Sequence, residues 1–264
     1  MHPILFHIGN FPVRSFGVML MIAFLVAIII ASKRAPRFGL TPLQIQDGAV
    51  WIIILGVLFA RVTFIAQEWG TYQGRPQEIF KLQMDGLTSF GGLFGGALGV
   101  LIYSKLKHFH PLQLLDTIGV PMLVASAIGR IGCLLNGCCY GHACLTSPPG
   151  VVLQDAHGGI LRGPHGEGFF LPAQLIDSAL ALVGAVVISR LERRPSWPRG
   201  LTVGLTFVAY GLARVIYEYF RAGSSSVLFP NSPVTHAQLA AFALALVGTG
   251  ISLWARRRPM VEVS

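Results

Sequence analysis

Charge is scarce in this chain. Asp, Glu, Lys and Arg make up 12% of its 264 residues, about half the share of an average soluble domain. No polar stretch is long enough to build a separate soluble domain. Acidic residues are scarcest, 11 against 20 Lys and Arg, for a net charge of +9. In so apolar a chain that surplus does not imply nucleic acid. Basic residues outside membrane spans orient the protein and touch anionic lipid. No internal repeat or low-complexity tract stands out, and the absence of an inverted repeat or paired broken helices argues against a transporter. The opening MHPILFHIGN is too polar and too interrupted for a cleaved signal peptide, so the mature chain is expected to keep it. Apolar residues are what the chain has: 53% are hydrophobic, with a mean hydropathy of +0.64. The expectation is an all-α, polytopic membrane protein, a single integral domain over 1–264.

A spanning helix needs roughly 20 mostly apolar residues. Seven runs qualify, at about 15–32, 48–66, 87–104, 114–135, 171–190, 201–220 and 236–255. Loops after the first, third, fifth and seventh carry twelve basic residues: Lys33, Arg34, Arg37, Lys105, Lys107, Arg190, Arg193, Arg194, Arg199, Arg256, Arg257 and Arg258. The opposite side carries five: Arg14, Arg75, Lys81, Arg162 and Arg221. The richer side reads as cytoplasmic. The N-terminus and the large loop at about 136–170 then lie outside, and the C-terminus inside.

Three arginines remain within the runs: Arg61, Arg130 and Arg214. Counted from the cytoplasmic start of each helix, they stand roughly 20–24 Å up a core about 30 Å thick. Guanidiniums from three helices are thus expected at one level, in the outer half of the membrane. Each either snorkels separately to the interface or pairs with a carboxylate, or the three line a polar chamber. Intramembrane charges are costly and usually functional, which favours the chamber.

Arg130 belongs to GRIGCLLNGCCYG, Gly129 to Gly141, which closes the fourth run and breaks into glycine, Asn136 and cysteine. The sixth run contains YGLARVIYEYFR. There Tyr210, Arg214, Glu218 and Arg221 are spaced four, four and three apart and share one helical face, with Tyr217 beside them. GLTSFGGLFGGALG places Ser89, Gly91 and Gly92 at the outer mouth of the third run. Its glycines suit close helix packing or close approach of a lipid. LPAQLID opens the fifth run with Gln174 and Asp177 on one face. Asp177 either pairs with an arginine or is an ordinary acidic helix start. Cys133, Cys138, Cys139 and Cys144 are the only cysteines. Their spacing is not a strong zinc pattern, although His142 is close. A disulfide and simple packing at a helix end also stand open, and no metal is assigned.

These stretches resemble, in order and over nearly the whole chain, the bacterial prolipoprotein diacylglyceryl transferases. GRIGCLLNGCCYG is similar to that family's G-R-x-G-N-F-x-N-G signature. DGLTSFGGLFG is similar to its Gly-Gly-Leu segment, LPAQLID to its His-Pro-x-Gln-Leu-Tyr-Glu segment, and AYGLARVIYEYFR to its Tyr-Gly-x-x-Arg-x-x-x-Glu-x-x-Arg helix. The resemblance implies transfer of a diacylglyceryl group from phosphatidylglycerol to the lipobox cysteine of a prolipoprotein signal peptide, with glycerol phosphate released. It implies the lipid bilayer of the bacterial inner membrane as the setting, no cofactor and no nucleic acid. Carried over by position, Arg130, Arg214, Glu218 and Tyr210 are the expected catalytic residues. Arg61, Asn136, Gly141, Gln174, Arg221, Ser89, Gly91 and Gly92 are expected to bind substrate. Four positions depart from the pattern: Phe16 for a tyrosine, Phe90 and Leu171 for histidines, and Cys133 for an asparagine. Three function classes stay in view: the transferase, a non-catalytic binder of anionic lipid, and a membrane thiol or metal protein built on Cys133–Cys144.

Overall fold

Among the described residues, seven long helices stand where the hydropathy pattern predicts them. The computed structural model describes residues 4–8, 11–72, 88–144, 150–152, 168–194, 196–222 and 234–257. A hairpin of β1 (Ile4–Ile8) and β2 (Phe11–Arg14) leads into α1 (Ser15–Arg34). A 3-10 turn, α2 (Pro42–Gln67) and the one-turn α3 (Trp69–Tyr72) follow. Next come α4 (Ser89–Leu106) and α5 (Pro111–Leu135). The two-residue strands β3 (Ala143–Cys144) and β4 (Phe169–Phe170) pair antiparallel ahead of α6 (Ala173–Leu191), α7 (Leu201–Phe220) and α8 (His236–Arg257).

Helix ends differ from the expected runs for local reasons. α2 starts six residues early because Thr41 and Gln44 form a reciprocal capping box ahead of Pro42. α6 starts at Ala173 rather than 171, since Leu171 is held by backbone bonds with Gly141 and His142. Among the described residues, six helices are long and apolar enough to cross a membrane, and the apolar part of α4, Gly91–Leu106, is shorter. The burial pattern is inverted relative to a soluble bundle. Met21, Leu25, Ile54, Val186, Phe242 and Leu246 face outward, while Ala181, Ala185, Ala241, Thr202, Thr206 and Ser178 lie inside. Lipid solvates the former, and small or hydroxylated residues let helices approach. The chain is a multi-pass, all-α membrane protein.

Residues Ala31–Leu115 form one compact unit. In it α2 packs on α4 through Gly91, Gly95 and Gly99. A Cβ on Gly99 would stand 2.9 Å from the Ile52 Cα, and one on Gly91 or Gly95 would run into backbone carbonyls of α2.

Met1–Ile30 and Asp116–Ser264 form the other. Val120, Leu123, Ala185 and Ile188 make its apolar centre. Ser178 Oγ donates to the Ala127 carbonyl at 3.0 Å and ties α6 to α5. Gly204, Gly211 and Gly248 seat α7 on α8, where no Cβ fits. The buried Asp116 of α5 caps α7 from outside that helix: its carboxylate accepts from Gly200 N at 2.5 Å and Val203 N at 2.9 Å. The acidic group thus meets the positive end of the α7 dipole.

Candidate active site

The ends of α5 and α7 and the start of α6 build one polar cluster within the second unit. Arg130 stands five residues before the end of α5, Arg214 six before the end of α7, and Asp177 four past the start of α6. Each is therefore roughly 6–9 Å inside its helix end. Arg130 Nε meets Asp177 Oδ2 at 2.6 Å, a short charge-assisted bond. Glu218, wholly buried, holds Arg214 Nη2 at 3.4 Å and Arg221 Nη1 at 3.7 Å. Those contacts follow directly from the i, i+4 and i, i+3 spacing along α7.

Arg130 and Arg214 stand over Tyr217, which is fully buried. The guanidinium carbons of Arg130 and Arg214 both sit 4.7 Å from the centre of its ring, within cation–π range. They are accordingly no more than twice that distance apart. The Tyr217 hydroxyl donates to the Cys139 carbonyl at 2.9 Å, so the ring is fixed at its far end. The cluster sets three guanidiniums against two carboxylates, Asp177 and Glu218. Half-buried surplus positive charge favours an anionic ligand. The buried acceptor Gln174 Oε1 and the buried donor Arg221 Nε have no hydrogen-bond partner among the described residues.

The segment after α5 forms one wall. Gly137 and Cys139 both take the left-handed backbone conformation, at φ 71° and 61°, unusual for a cysteine. Gln174 Nε2 donates to the Cys138 carbonyl at 2.7 Å, and the Cys138 thiol donates to the Cys133 carbonyl at 3.6 Å. Gly141 threads between α7 and Leu171: a Cβ there would come 2.6 Å from the Phe220 carbonyl and 2.8 Å from that of Leu171. Cys133, Cys138 and Cys139 bring their sulfurs within 4.8 Å of one another. Cys144 stands apart, donating to the His142 carbonyl at 3.6 Å. All four are free thiols.

Of the expected site residues, Arg130, Arg214, Glu218, Arg221, Gln174 and Asn136 meet here, and Gly141 shapes the wall. Tyr210 is more exposed, on the same α7 face, and lies within electrostatic reach of Arg130. Arg61, Gly91 and Gly92 belong to the unit Ala31–Leu115. There the Arg61 guanidinium lies 5.9 Å from the Phe64 ring, and Gly91 is taken up by the α2 contact. The third guanidinium linked to Arg130 and Arg214 within their own unit is Arg221. Asp85, Arg75, Lys81 and Arg162 fall outside the described residues, as do the side chains of Ser89 and Phe90. Sequence reasoning left Asp177 and Tyr217 off the list of site residues. Asp177 was visible as an acid one turn into an apolar helix, and Tyr217 as the residue three after Arg214.

The sequence pattern of prolipoprotein diacylglyceryl transferase matches residues 3–254. The chain belongs to that family. A phosphatidylglycerol–prolipoprotein diacylglyceryl transferase of Streptococcus equi subsp. equi is 29% identical over 230 residues, covering 86% of each chain. The transferase so named in Lactobacillus johnsonii is 26% identical over 99% of this chain and 92% of its own. That of Streptococcus agalactiae serotype Ia is 26% identical over 99% and 98%. Two departures from the diacylglyceryl transferase pattern have a definite place in the fold. Leu171 is committed through its backbone to Gly141 and His142, and Cys133 joins the thiol group beside Arg130.

Proposed function

We propose that this chain is a phosphatidylglycerol–prolipoprotein diacylglyceryl transferase, acting on the lipobox cysteine of prolipoproteins at the outer half of the bacterial inner membrane. The observation that carries the reading is the meeting of Arg130 of α5 and Arg214 of α7 at the ring of Tyr217. Family membership and the named relatives support the same activity. The excess of basic residues in alternate loops supports an external N-terminus.

In the reaction, the lipobox sulfur attacks the glyceryl carbon that bears the phosphate. A C–S bond forms and the C–O bond breaks. The electron pair stays on the phosphate oxygen, so the departing glycerol phosphate gains negative charge as the bond lengthens. Arg130 and Arg214 meet that developing charge with donors already fixed by Asp177 and Glu218. A lipobox thiol next to such cations ionises more readily than one in water. Tyr210 or Glu218, on one face of α7, relays its proton. The glycerol headgroup offers both hydroxyl donors and phosphate acceptors, which suits the unpartnered Gln174 Oε1 and Arg221 Nε. Purified protein in vesicles of labelled phosphatidylglycerol, given a lipobox peptide, should add the diacylglyceryl mass to the peptide cysteine. A peptide left unmodified, with the lipid bound and intact, would select the non-catalytic binder instead.

A further inference from the structure

The three thiols beside the arginine cluster have no part in the transfer just described. We propose that Cys133, Cys138 and Cys139 form a three-coordinate binding site for a soft monovalent cation, Cu+. Their sulfurs all lie within 4.8 Å of one another. Three sulfurs around one ion at about 2.3 Å stand about 3.7–4.0 Å apart, so closing the site needs only small side-chain movements. Two of the ligands are adjacent in sequence. In extended chain neighbouring side chains project to opposite sides. The left-handed turn at Cys139, φ 61°, breaks that alternation. The turn is held from two helices, by Gln174 Nε2 on the Cys138 carbonyl at 2.7 Å and by the Tyr217 hydroxyl on the Cys139 carbonyl at 2.9 Å. The ligands are thus arranged before any ion arrives.

Thiolate donors select Cu+ or Zn2+ over harder cations. No fourth His, Cys, Asp or Glu joins the group among the described residues. His142, the nearest histidine in sequence, turns its Nε2 toward the Tyr219 carbonyl at 3.2 Å. Structural zinc sites want four protein ligands, whereas Cu+ is complete with three. The thiolates carry more negative charge than Cu+ neutralises, and Arg130 and Arg221, both electrostatically coupled to Cys139, offset it.

The test uses full-length protein in detergent, reduced and kept anaerobic, titrated with Cu+ against bicinchoninate. Wild type should take one ion per chain, and X-ray absorption should show a single shell of three sulfurs. Cys133→Ser, Cys138→Ser and Cys139→Ser should each weaken binding by more than the roughly 10–100-fold that losing a group hydrogen-bonded to a ligand costs. Cys144→Ser should bind as wild type. The sulfur shell, measured on wild type, keeps the test decisive if a variant fails to fold. Copper uptake that survives all three substitutions, preference for Zn2+, or no uptake by the reduced protein would each overturn the assignment. So would a pair of these thiols closing a disulfide in air while the reduced form ignores copper. None of these readouts involves lipid transfer, so the outcome is independent of the transferase reading.

Discussion

Arg130 and Arg214 come from different helices and hold their guanidinium carbons at the same distance, 4.7 Å, from the centre of one buried ring. Bare guanidiniums so close would repel. Each is instead steadied by its own carboxylate, Asp177 for Arg130 and Glu218 for Arg214. The platform keeps two cations together and leaves most of their N–H donors for an anion.

Arg214→Ala is therefore expected to lower diacylglyceryl transfer by roughly 10²–10³-fold, the usual cost of losing one donor to developing charge. Arg214→Lys should recover little, because an ammonium lacks the planar fork. Transfer rates on labelled phosphatidylglycerol check both, and an Arg214→Ala protein at wild-type rate would remove Arg214 from the mechanism.

Tyr217 separates ring from hydroxyl. Tyr217→Phe keeps the surface on which the arginines rest and loses one hydrogen bond to Cys139, about 1 kcal/mol. Tyr217→Ala opens a cavity under both guanidiniums and should cost about 3–5 kcal/mol. The Phe variant is expected to retain most transfer and the Ala variant little, as read by activity beside thermal unfolding in detergent.

Asp177→Ala leaves the Arg130 charge partly buried without its nearest partner, a change of about 3–5 kcal/mol where such pairs are broken. Asp177→Asn keeps a hydrogen-bond acceptor and should be milder. If Asp177 were only an ordinary helix start, both variants would bind phosphatidylglycerol vesicles and unfold as wild type does.

Gly141→Ala places a methyl against the Phe220 and Leu171 carbonyls. Overpacking of this kind costs about 1–3 kcal/mol. The melting temperature should fall, and transfer should fall with it because the wall carrying Cys138 and Cys139 shifts. A variant of normal stability that has lost lipid affinity would instead mark Gly141 as a direct contact.

Asp116 provides a control at the opposite end of α7. Asp116→Ala removes two backbone bonds to a buried carboxylate, each worth about 1.5–3 kcal/mol when the acceptor is charged. Stability should drop while the transfer rate per folded molecule holds, since Arg214 is more than ten residues away along α7.

Much of this was legible in the chain because it is local. Apolar run length placed the helices, and the 3.6-residue period put Tyr210, Arg214, Glu218 and Arg221 on one face without any neighbour being known. The glycines at 91, 95 and 99 announced a tight helix contact. The Arg130–Asp177 bond was not legible, because it depends on how antiparallel α5 and α6 slide past each other. Asp177 read equally well as a helix start. Cys133, Cys138 and Cys139 lack a metal-site spacing, and only the left-handed turn at Cys139 gathers them.

By itself, then, the sequence determined the membrane class, the helices and the charged face of α7, since backbone hydrogen bonding in lipid allows little but helix and the helical period is fixed. Tertiary packing alone decided which arginines meet. It chose Tyr217 as their shared platform and brought Asp177 of α6 onto Arg130 of α5. Contacts between helices depend on register and approach distance, which small residues such as Gly204, Gly211 and Gly248 permit and no linear pattern specifies.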